Sequence, residues 1–260
     1  MTKDTDRITY AVTDRVAVIS MCRAPVNAVD FEMTDAIHEA LRTADADSGV
    51  GAIVLTSSLP KMYCAGMDLK MIRGAGSEGM RAYLNRFYLD TLDVQAKFSK
   101  PTIAAINGAA RGAGMTLSIT CDMLIASESA TFGYPEINVG VLPAIHFAHL
   151  PPVIGRHRAF ELLFSGRSFG PAEAKELGLV SEVTPDDGLM PRALELGRMF
   201  AAKSPATMAI GRRAFWRAQD ADYRRSVAAQ VEVMCNLATM PDFEEGLAAF
   251  VEKRDPEWKE

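Results

Sequence analysis

Three glycine- and alanine-rich stretches contain the residues of this chain whose types and spacing could support catalysis. They are residues 61–70 (KMYCAGMDLK), 107–117 (NGAARGAGMTL) and 132–143 (FGYPEINVGVLP). Small residues after a strand let a ligand approach backbone N–H groups closely. In the second stretch a helix is predicted to begin near Ala113, so its unpaired N–H groups and positive dipole end can face a developing negative charge. An isolated GAG is also typical of a tight turn between a strand and a helix.

The glycine spacing of the second stretch differs from that of the dinucleotide-binding motif. Gly112 and Gly114 are followed by Leu117 where the third glycine of the dinucleotide-binding G-x-G-x-x-G belongs. The phosphate-binding G-x-x-x-x-G-K-[ST] does not occur in the chain. His146 and His149 are one helical turn apart, but their segment has no acidic partner, so we expect no metal site.

The elements that must position these stretches alternate between strands and helices. Strands are predicted for the short apolar, often β-branched runs at residues 15–22, 51–56, 102–106 and 123–126. Helices are predicted by apolar spacing at residues 31–46, 80–98 and 112–119. This alternation indicates a largely parallel α/β core.

The composition changes in the last quarter of the chain, where the strand signal disappears. Helices are predicted there at residues 192–202, 206–218, 223–237 and 243–253. We therefore predict a catalytic core at residues 1–195 and a helical region at residues 196–260.

Length, charge and cysteine usage limit the function classes. A chain of 260 residues that is 48% hydrophobic can bury one large core. The net charge of -5 provides no basic surface, which argues against a nucleic-acid partner. Apolar runs are interrupted before the roughly 20 residues that span a bilayer, so we expect no membrane role. Four scattered cysteines without a CxxC motif predict free thiols in a reducing compartment, and we expect a cytoplasmic protein.

The three stretches, in this order and spacing, resemble those of the crotonase (enoyl-CoA hydratase/isomerase) family. The similarity extends from about Arg15 to Trp258 and includes PVNAVD, GRSFGPAEAKELGLV and EEGLAAFVEKRDPEW. The resemblance implies a crotonase-like spiral of repeated ββα units, followed by a helical region that packs subunits into a homotrimer or hexamer. It also implies an acyl-CoA thioester substrate. No separate cofactor is expected, since CoA enters as part of the substrate.

The resemblance also assigns the groups that hold the thioester. The two oxyanion-hole donors are the backbone N–H groups of Ala65 and Ala113, and two such donors stabilise an enolate by about 3 kcal/mol each. Residues 61–69 should line the CoA, with Lys61 as a candidate phosphate contact. The predicted substrate-binding residues are Lys61, Tyr63, Cys64, Gly66, Met67, Asp68, Leu69, Gly112, Pro135, Ile145 and His146.

The acid/base residue that the resemblance implies is Glu136, in the PE of FGYPE. Hydratases of the family carry a second glutamate late in the GxG helix, where this chain has Thr116. A hydroxyl cannot act as a base near neutral pH, although it can orient a water molecule. A single carboxylate suits removal of a proton from one carbon and its return to another. We therefore predict isomerisation of an enoyl-CoA double bond, as in the Δ3,Δ2-enoyl-CoA isomerases.

Three alternatives remain open from the sequence. Water held by Thr116 could support hydration of a 2-enoyl-CoA. Hydroxycinnamoyl-CoA hydratase-lyases also combine the PE glutamate with a small hydroxyl residue, but they use a tyrosine in the late helix, near Ser226 and Ala228 of this chain, with Tyr223 one turn away. The loss of the second glutamate is also compatible with a catalytically silent CoA-binding scaffold.

Residues 143–147 (PAIHF) depart from the glycine-rich PGAGG of many family members. Their bulkier side chains should reshape the acyl pocket, so we expect Ile145, His146 and Phe147 to set acyl selectivity. Asp122, which follows the GxG helix, is expected to be structural.

Overall fold

Two β-sheets organise the protein in the computed structural model, which describes residues 5–220 and 222–258, apart from the side chains of residues 219 and 220. In chain order the strands are β1 (Ile8–Thr13), β2 (Val16–Met21), β3 (Ala52–Ser57), β4 (Lys61–Cys64), β5 (Thr102–Ile106), β6 (Gly108–Arg111), β7 (Met123–Ser127), β8 (Thr131–Gly133), β9 (Ser168–Phe169) and β10 (Glu182–Thr184). The larger sheet has the order β1-β2-β3-β5-β7-β10, and all its neighbours except β1 and β2 run parallel. The predicted parallel α/β core is confirmed.

Three of the four strands of the smaller sheet lie in or at the start of the three glycine-rich stretches. Its order is β4-β6-β8-β9, and β4, β6 and β8 are parallel to one another. Each of these three strands follows a strand of the larger sheet, which confirms the expected repetition of ββ units. Because neighbouring parallel strands end at the same edge, the residues after β4, β6 and β8 are brought together there.

Twelve α-helices lie in the described part of the chain. They are α1 (Phe31–Ala46), α2 (Leu69–Ile72), α3 (Gly76–Leu84), α4 (Asp90–Lys97), α5 (Ala113–Ile119), α6 (Ala144–Ile154), α7 (Arg156–Ser165), α8 (Pro171–Glu176), α9 (Leu189–Ala201), α10 (Pro205–Asp220), α11 (Tyr223–Leu237) and α12 (Pro241–Glu252). The single helix predicted for residues 80–98 is instead α3 and α4 joined by a π-helical turn, Asn85–Leu89. A local apolar pattern predicts a helical segment but does not specify where one extra residue widens a turn.

Helix α9 packs against the larger sheet. Its Leu189, Ala193 and Leu196 side chains form a buried cluster with residues of β2, β3, β5 and β7. The predicted boundary at residue 195 lies inside this helix. The division into a core and a helical region stays a prediction.

Asp122 connects helix α10 to the core. Its carboxylate accepts hydrogen bonds from Thr102, from Arg212 Nε at 2.7 Å and from Trp216 Nε1 at 2.7 Å. Arg212 is only 6% exposed and also donates to the carbonyls of Gln95 and Phe98. These contacts agree with the structural role expected for Asp122.

The last two helices cover the region around Glu136. Helix α11 packs against α3 and α6, and α12 packs against the 3₁₀ turn Pro135–Val139. Within the described residues, no helix combines the length and apolarity needed to cross a bilayer.

Candidate active site

The carboxyl group of Glu136 faces Gly112. Glu136 lies in the 3₁₀ turn after β8, and Gly112 precedes α5 with a φ of +47°. A Cβ atom built on Gly112 would be 3.0 Å from Glu136 Oε1 and 3.3 Å from its Cδ. Glycine is required here both by this close approach and by the positive φ. The second and third glycine-rich stretches therefore meet at these two residues.

Burial makes Glu136 suitable for proton transfer near neutral pH. Its Oε2 atom is buried and has no hydrogen-bond partner among the described residues. Burial raises the pKa of the Glu136 carboxyl from 4.5 to about 7, because it disfavours the charged form, and a backbone hydrogen bond opposes this shift. A group with a pKa near the working pH can both accept and return a proton.

The end of β4 and the start of α5 are in direct contact, close to Glu136 and Gly112. A Cβ atom built on Gly114 would be 2.6 Å from the carbonyl oxygen of Cys64, and one built on Gly66 would be 3.9 Å from the nitrogen of Ala113. Ala113 is the first residue of α5, where a backbone N–H has no carbonyl within the helix to bind. The two segments predicted to form the oxyanion hole are therefore neighbours.

The N–H group of Ala65 has a partner in this structure. It donates to the carbonyl oxygen of Val26 at 3.0 Å, while the residue itself is exposed. A thioester oxygen would have to share or displace this hydrogen bond. As oxyanion donors, Ala65 and Ala113 remain predictions.

The predicted CoA-binding residues differ in their solvent exposure. Lys61 is exposed at the start of β4, whereas Tyr63 and Cys64 are fully buried. The Asp68 carboxylate pairs with Arg23 at 2.8 Å and caps α2 through the N–H of Lys70. Asp68 thus stabilises the loop, and Tyr63 and Cys64 are left with their backbone as the part that can face a ligand.

The remaining predicted contacts have intermediate or complete burial. Gly66, Gly112 and Ile145 are buried, while Met67, Leu69 and Pro135 are half-buried.

Thr116 and His146 contact each other next to the Gly112 carbonyl. Thr116 Oγ1 is 3.4 Å from the Gly112 carbonyl oxygen and 3.4 Å from His146 Nε2. Both residues are only 1% exposed. Burial, with a smaller contribution from His149, lowers the pKa of His146 well below 6.5, so its imidazole is neutral. Threonine therefore occupies the position for which the resemblance implied a second glutamate in hydratases.

Aromatic side chains surround Glu136, and the sequence analysis missed two of them. The centroid of the Tyr134 ring is 4.5 Å from the centroid of the His146 ring, and Tyr88 is buried in the π-helical turn. Burial and the nearby charge of Glu136 raise the pKa of Tyr134 and Tyr88 well above 10. The position of Tyr134 two residues before Glu136 was an available signal, whereas nothing local indicates Tyr88.

His149 and Tyr223 extend this aromatic cluster towards α11. The centroid of the His149 ring is 6.4 Å from the centroid of the His146 ring and 6.1 Å from that of the Tyr223 ring. A tyrosine of the late helix therefore reaches this region, although Ser226 and Ala228 occupy the positions compared in the sequence. No three His, Cys, Asp or Glu residues in the described ranges form a group that could hold a metal ion.

Comparison with known families identifies this arrangement. The family model described as enoyl-CoA hydratase/isomerase matches residues 12–260. The chain belongs to the enoyl-CoA hydratase/isomerase family. The predicted family is thus confirmed.

Curated relatives and solved structures agree with this membership. A protein of Rhizobium meliloti (strain 1021) named "Probable enoyl-CoA hydratase" is 36% identical over 247 residues, covering 94% of this chain and 95% of the relative. The 2,3-dehydroadipyl-CoA hydratase of Escherichia coli (strain K12) is 32% identical over 247 residues, with the same coverage of both chains. An enoyl-CoA hydratase/isomerase structure from Xanthobacter autotrophicus Py2 has a TM-score of 0.84 and 29% identity, covering 97% of this chain and 98% of that structure.

Proposed function

We propose that this protein isomerises the double bond of an enoyl-CoA thioester, with Glu136 as its single acid/base group. The observation that carries the proposal is the buried Glu136 carboxyl, with a pKa raised to about 7, lying against Gly112 at the start of α5. We assign the stabilisation of the anionic intermediate to the backbone N–H of Ala113, because it follows Gly112 and can donate a hydrogen bond to a negatively charged oxygen.

The reaction needs one proton carrier and one anion site. Glu136 removes a proton from carbon 2 of a 3-enoyl-CoA, and the C–H electron pair is delocalised onto the thioester oxygen. The N–H of Ala113 stabilises that oxygen, joined by the N–H of Ala65 when it leaves the Val26 carbonyl. Glu136 then returns the proton to carbon 4, and the double bond lies between carbons 2 and 3. The steps are redox-neutral, so the proposal includes no redox cofactor.

Thr116 favours isomerisation over a mechanism that needs two carboxylates. Its hydroxyl is buried between the Gly112 carbonyl and His146 Nε2. Because a threonine hydroxyl is not a base near neutral pH, proton transfer falls to Glu136 alone.

Hydration of a 2-enoyl-CoA is the second candidate, and the Thr116–His146 contact favours it. This pair offers hydrogen-bonding groups next to the Gly112 carbonyl that could orient a water molecule. The names of the Rhizobium meliloti and Escherichia coli relatives also state hydratase functions.

Turnover of matched thioesters separates these functions. The purified protein is incubated with 3-hexenoyl-CoA, 2-hexenoyl-CoA and a hydroxycinnamoyl-CoA, and products are separated by chromatography. We expect 3-hexenoyl-CoA to become 2-hexenoyl-CoA. If the only product is 3-hydroxyhexanoyl-CoA formed from 2-hexenoyl-CoA, the protein is a hydratase and the isomerase proposal is wrong. Carbon–carbon bond cleavage in the acyl chain of the hydroxycinnamoyl-CoA would indicate a hydratase-lyase.

The assembly and location belong to the same proposal. We propose a homotrimer or a pair of trimers, in the cytoplasm, on the basis of family membership. Light scattering on the purified full chain measures the number of subunits, and a monomer would contradict the proposed assembly.

A further inference from the structure

Two fully buried polar atoms near Glu136 have no hydrogen-bond partner within the described part of the chain. They are Tyr134 Oη and His146 Nδ1, whose residues are 0% and 1% exposed. Leaving a buried polar atom unpaired costs about 1–3 kcal/mol, and native proteins pair most of them with protein, water or ligand. The centroids of the two rings are 4.5 Å apart, so the two side chains belong to one contact cluster.

The same region contains a third unpaired atom, Glu136 Oε2, which the proposed reaction accounts for. In that reaction the Glu136 carboxyl takes up the proton from carbon 2 of the substrate and returns it to carbon 4. Tyr134 and His146 have no role in that proton transfer. Their unpaired atoms therefore require a separate explanation.

The neighbours of His146 determine which group fits. Its Nε2 atom lies 3.4 Å from Thr116 Oγ1, and the ring interacts with the Gly112 carbonyl, which can only accept. The proton of the neutral ring is therefore assigned to Nε2, which leaves Nδ1 as an acceptor. Tyr134 Oη can donate a hydrogen bond. A ligand group must then donate to Nδ1 and accept from Tyr134.

A substrate hydroxyl or a water molecule satisfies both requirements. An ionised carboxylate has no proton to donate and would lie close to Glu136, whose charge already influences Tyr134. An ammonium group cannot accept, and a methyl group would leave both atoms unpaired. We propose that Tyr134 and His146 form a hydroxyl-binding subsite beside Glu136. This inference rests on the proposed function for its acyl-CoA substrate.

The hydroxyl has two sources, which share this chemistry. It belongs either to carbon 3 of the acyl chain, where water adds or leaves, or to a carbon further along the chain. Binding of two matched pairs of saturated esters distinguishes them. The pairs are 3-hydroxybutyryl-CoA with butyryl-CoA, and 6-hydroxyhexanoyl-CoA with hexanoyl-CoA.

Calorimetric titration of the full chain provides the test. We expect one hydroxylated ester to bind about tenfold more tightly than its deoxy partner, as loss of hydrogen bonds in a buried site would predict. Tyr134→Phe and His146→Leu should abolish this ratio by weakening binding of the hydroxylated ester more than that of its deoxy partner. His146→Asn, which retains an acceptor near the position of Nδ1, should keep part of it. Tyr10→Phe, a buried tyrosine of β1, is the matched control.

The outcomes separate the subsite from the proposed function. A preference in the four-carbon pair assigns the hydroxyl to carbon 3, and one in the six-carbon pair assigns it to the acyl terminus. Equal binding within both pairs, or equal weakening of both partners by the variants, overturns the subsite. Failure to isomerise 3-hexenoyl-CoA overturns the proposed function and leaves the binding ratios as an independent result.

Discussion

The Glu136 carboxyl lies 3.0 Å from the point where a Cβ of residue 112 would be, so these two residues share one wall of the candidate active site. This contact joins the candidate proton carrier to the start of α5, where the N–H of Ala113 is the predicted oxyanion donor. It also means that changes at either residue should affect catalysis through the other.

Glu136→Gln should abolish proton transfer and preserve binding. An amide has nearly the same shape as the carboxyl but cannot take up a proton, so we expect kcat for 3-hexenoyl-CoA to fall by about 10²- to 10⁴-fold. KM should change little. Glu128→Gln, an exposed substitution, is the control and should keep full activity. Equal activity of wild type and Glu136→Gln would instead support the scaffold alternative.

Gly112→Ala should displace Glu136. The new Cβ would be 3.0 Å from Oε1 at a residue with a φ of +47°, so we expect about tenfold or greater loss of kcat and destabilisation by about 1 kcal/mol. Gly74→Ala is a matched control, because Gly74 has a φ of +73° with no neighbour within 4 Å of such a Cβ. It should lose comparable stability and retain activity. Comparable activity losses in both variants would argue against the Glu136 contact.

The raised pKa of Glu136 predicts a specific pH dependence of stability. The folded protein keeps this proton up to about pH 7, whereas the unfolded chain releases it above its ordinary pKa of 4.5. The free energy of unfolding contributed by Glu136 is therefore greatest below pH 4.5 and is lost as the pH rises towards 7. Urea unfolding of wild type and Glu136→Gln across this range measures the difference. A difference that stays constant with pH would contradict the raised pKa.

Gly246→Ala should disturb the Glu136 turn from its far side. A Cβ on Gly246 would be 2.3 Å from the carbonyl oxygen of Val139, so α12 and the 3₁₀ turn must separate. We expect destabilisation of about 1–3 kcal/mol and a lower kcat. Gly211→Ala, also within a helix but with free space around the new Cβ, should be neutral or stabilising by up to about 1 kcal/mol. Unchanged kcat in Gly246→Ala would mean that α12 does not position Glu136.

Asp122→Asn should destabilise the protein without altering catalysis. It removes the charge that pairs with Arg212, which is only 4% exposed in its side chain, so we expect a loss of about 3 kcal/mol. Asp14→Asn is the control, since its pair with Arg198 is exposed and should contribute less than about 1 kcal/mol. Thermal unfolding and kcat per folded protein are the measurements. A loss of kcat in fully folded Asp122→Asn would give this residue a role beyond structure.

The alternation of strands and helices, the family and the position of Glu136 could be predicted from the residues alone. Each depends on local information: β-branched runs, apolar spacing in segments such as α1, and glycine-rich stretches in a recognisable order. FGYPE likewise made Glu136 the candidate acid/base residue, and that role stays a prediction.

The environment of these residues depends on contacts between distant parts of the chain. Tyr88 reaches the site from a π-helical turn, and Ala65 donates to Val26 because two loops are brought together by the smaller sheet. The contact of His146 with Thr116 joins residues 30 positions apart. Burial of Glu136, and with it the pKa near 7, arises only when β8, α5 and the covering helices are packed, because desolvation depends on the whole surroundings of the carboxyl and not on its neighbours in sequence.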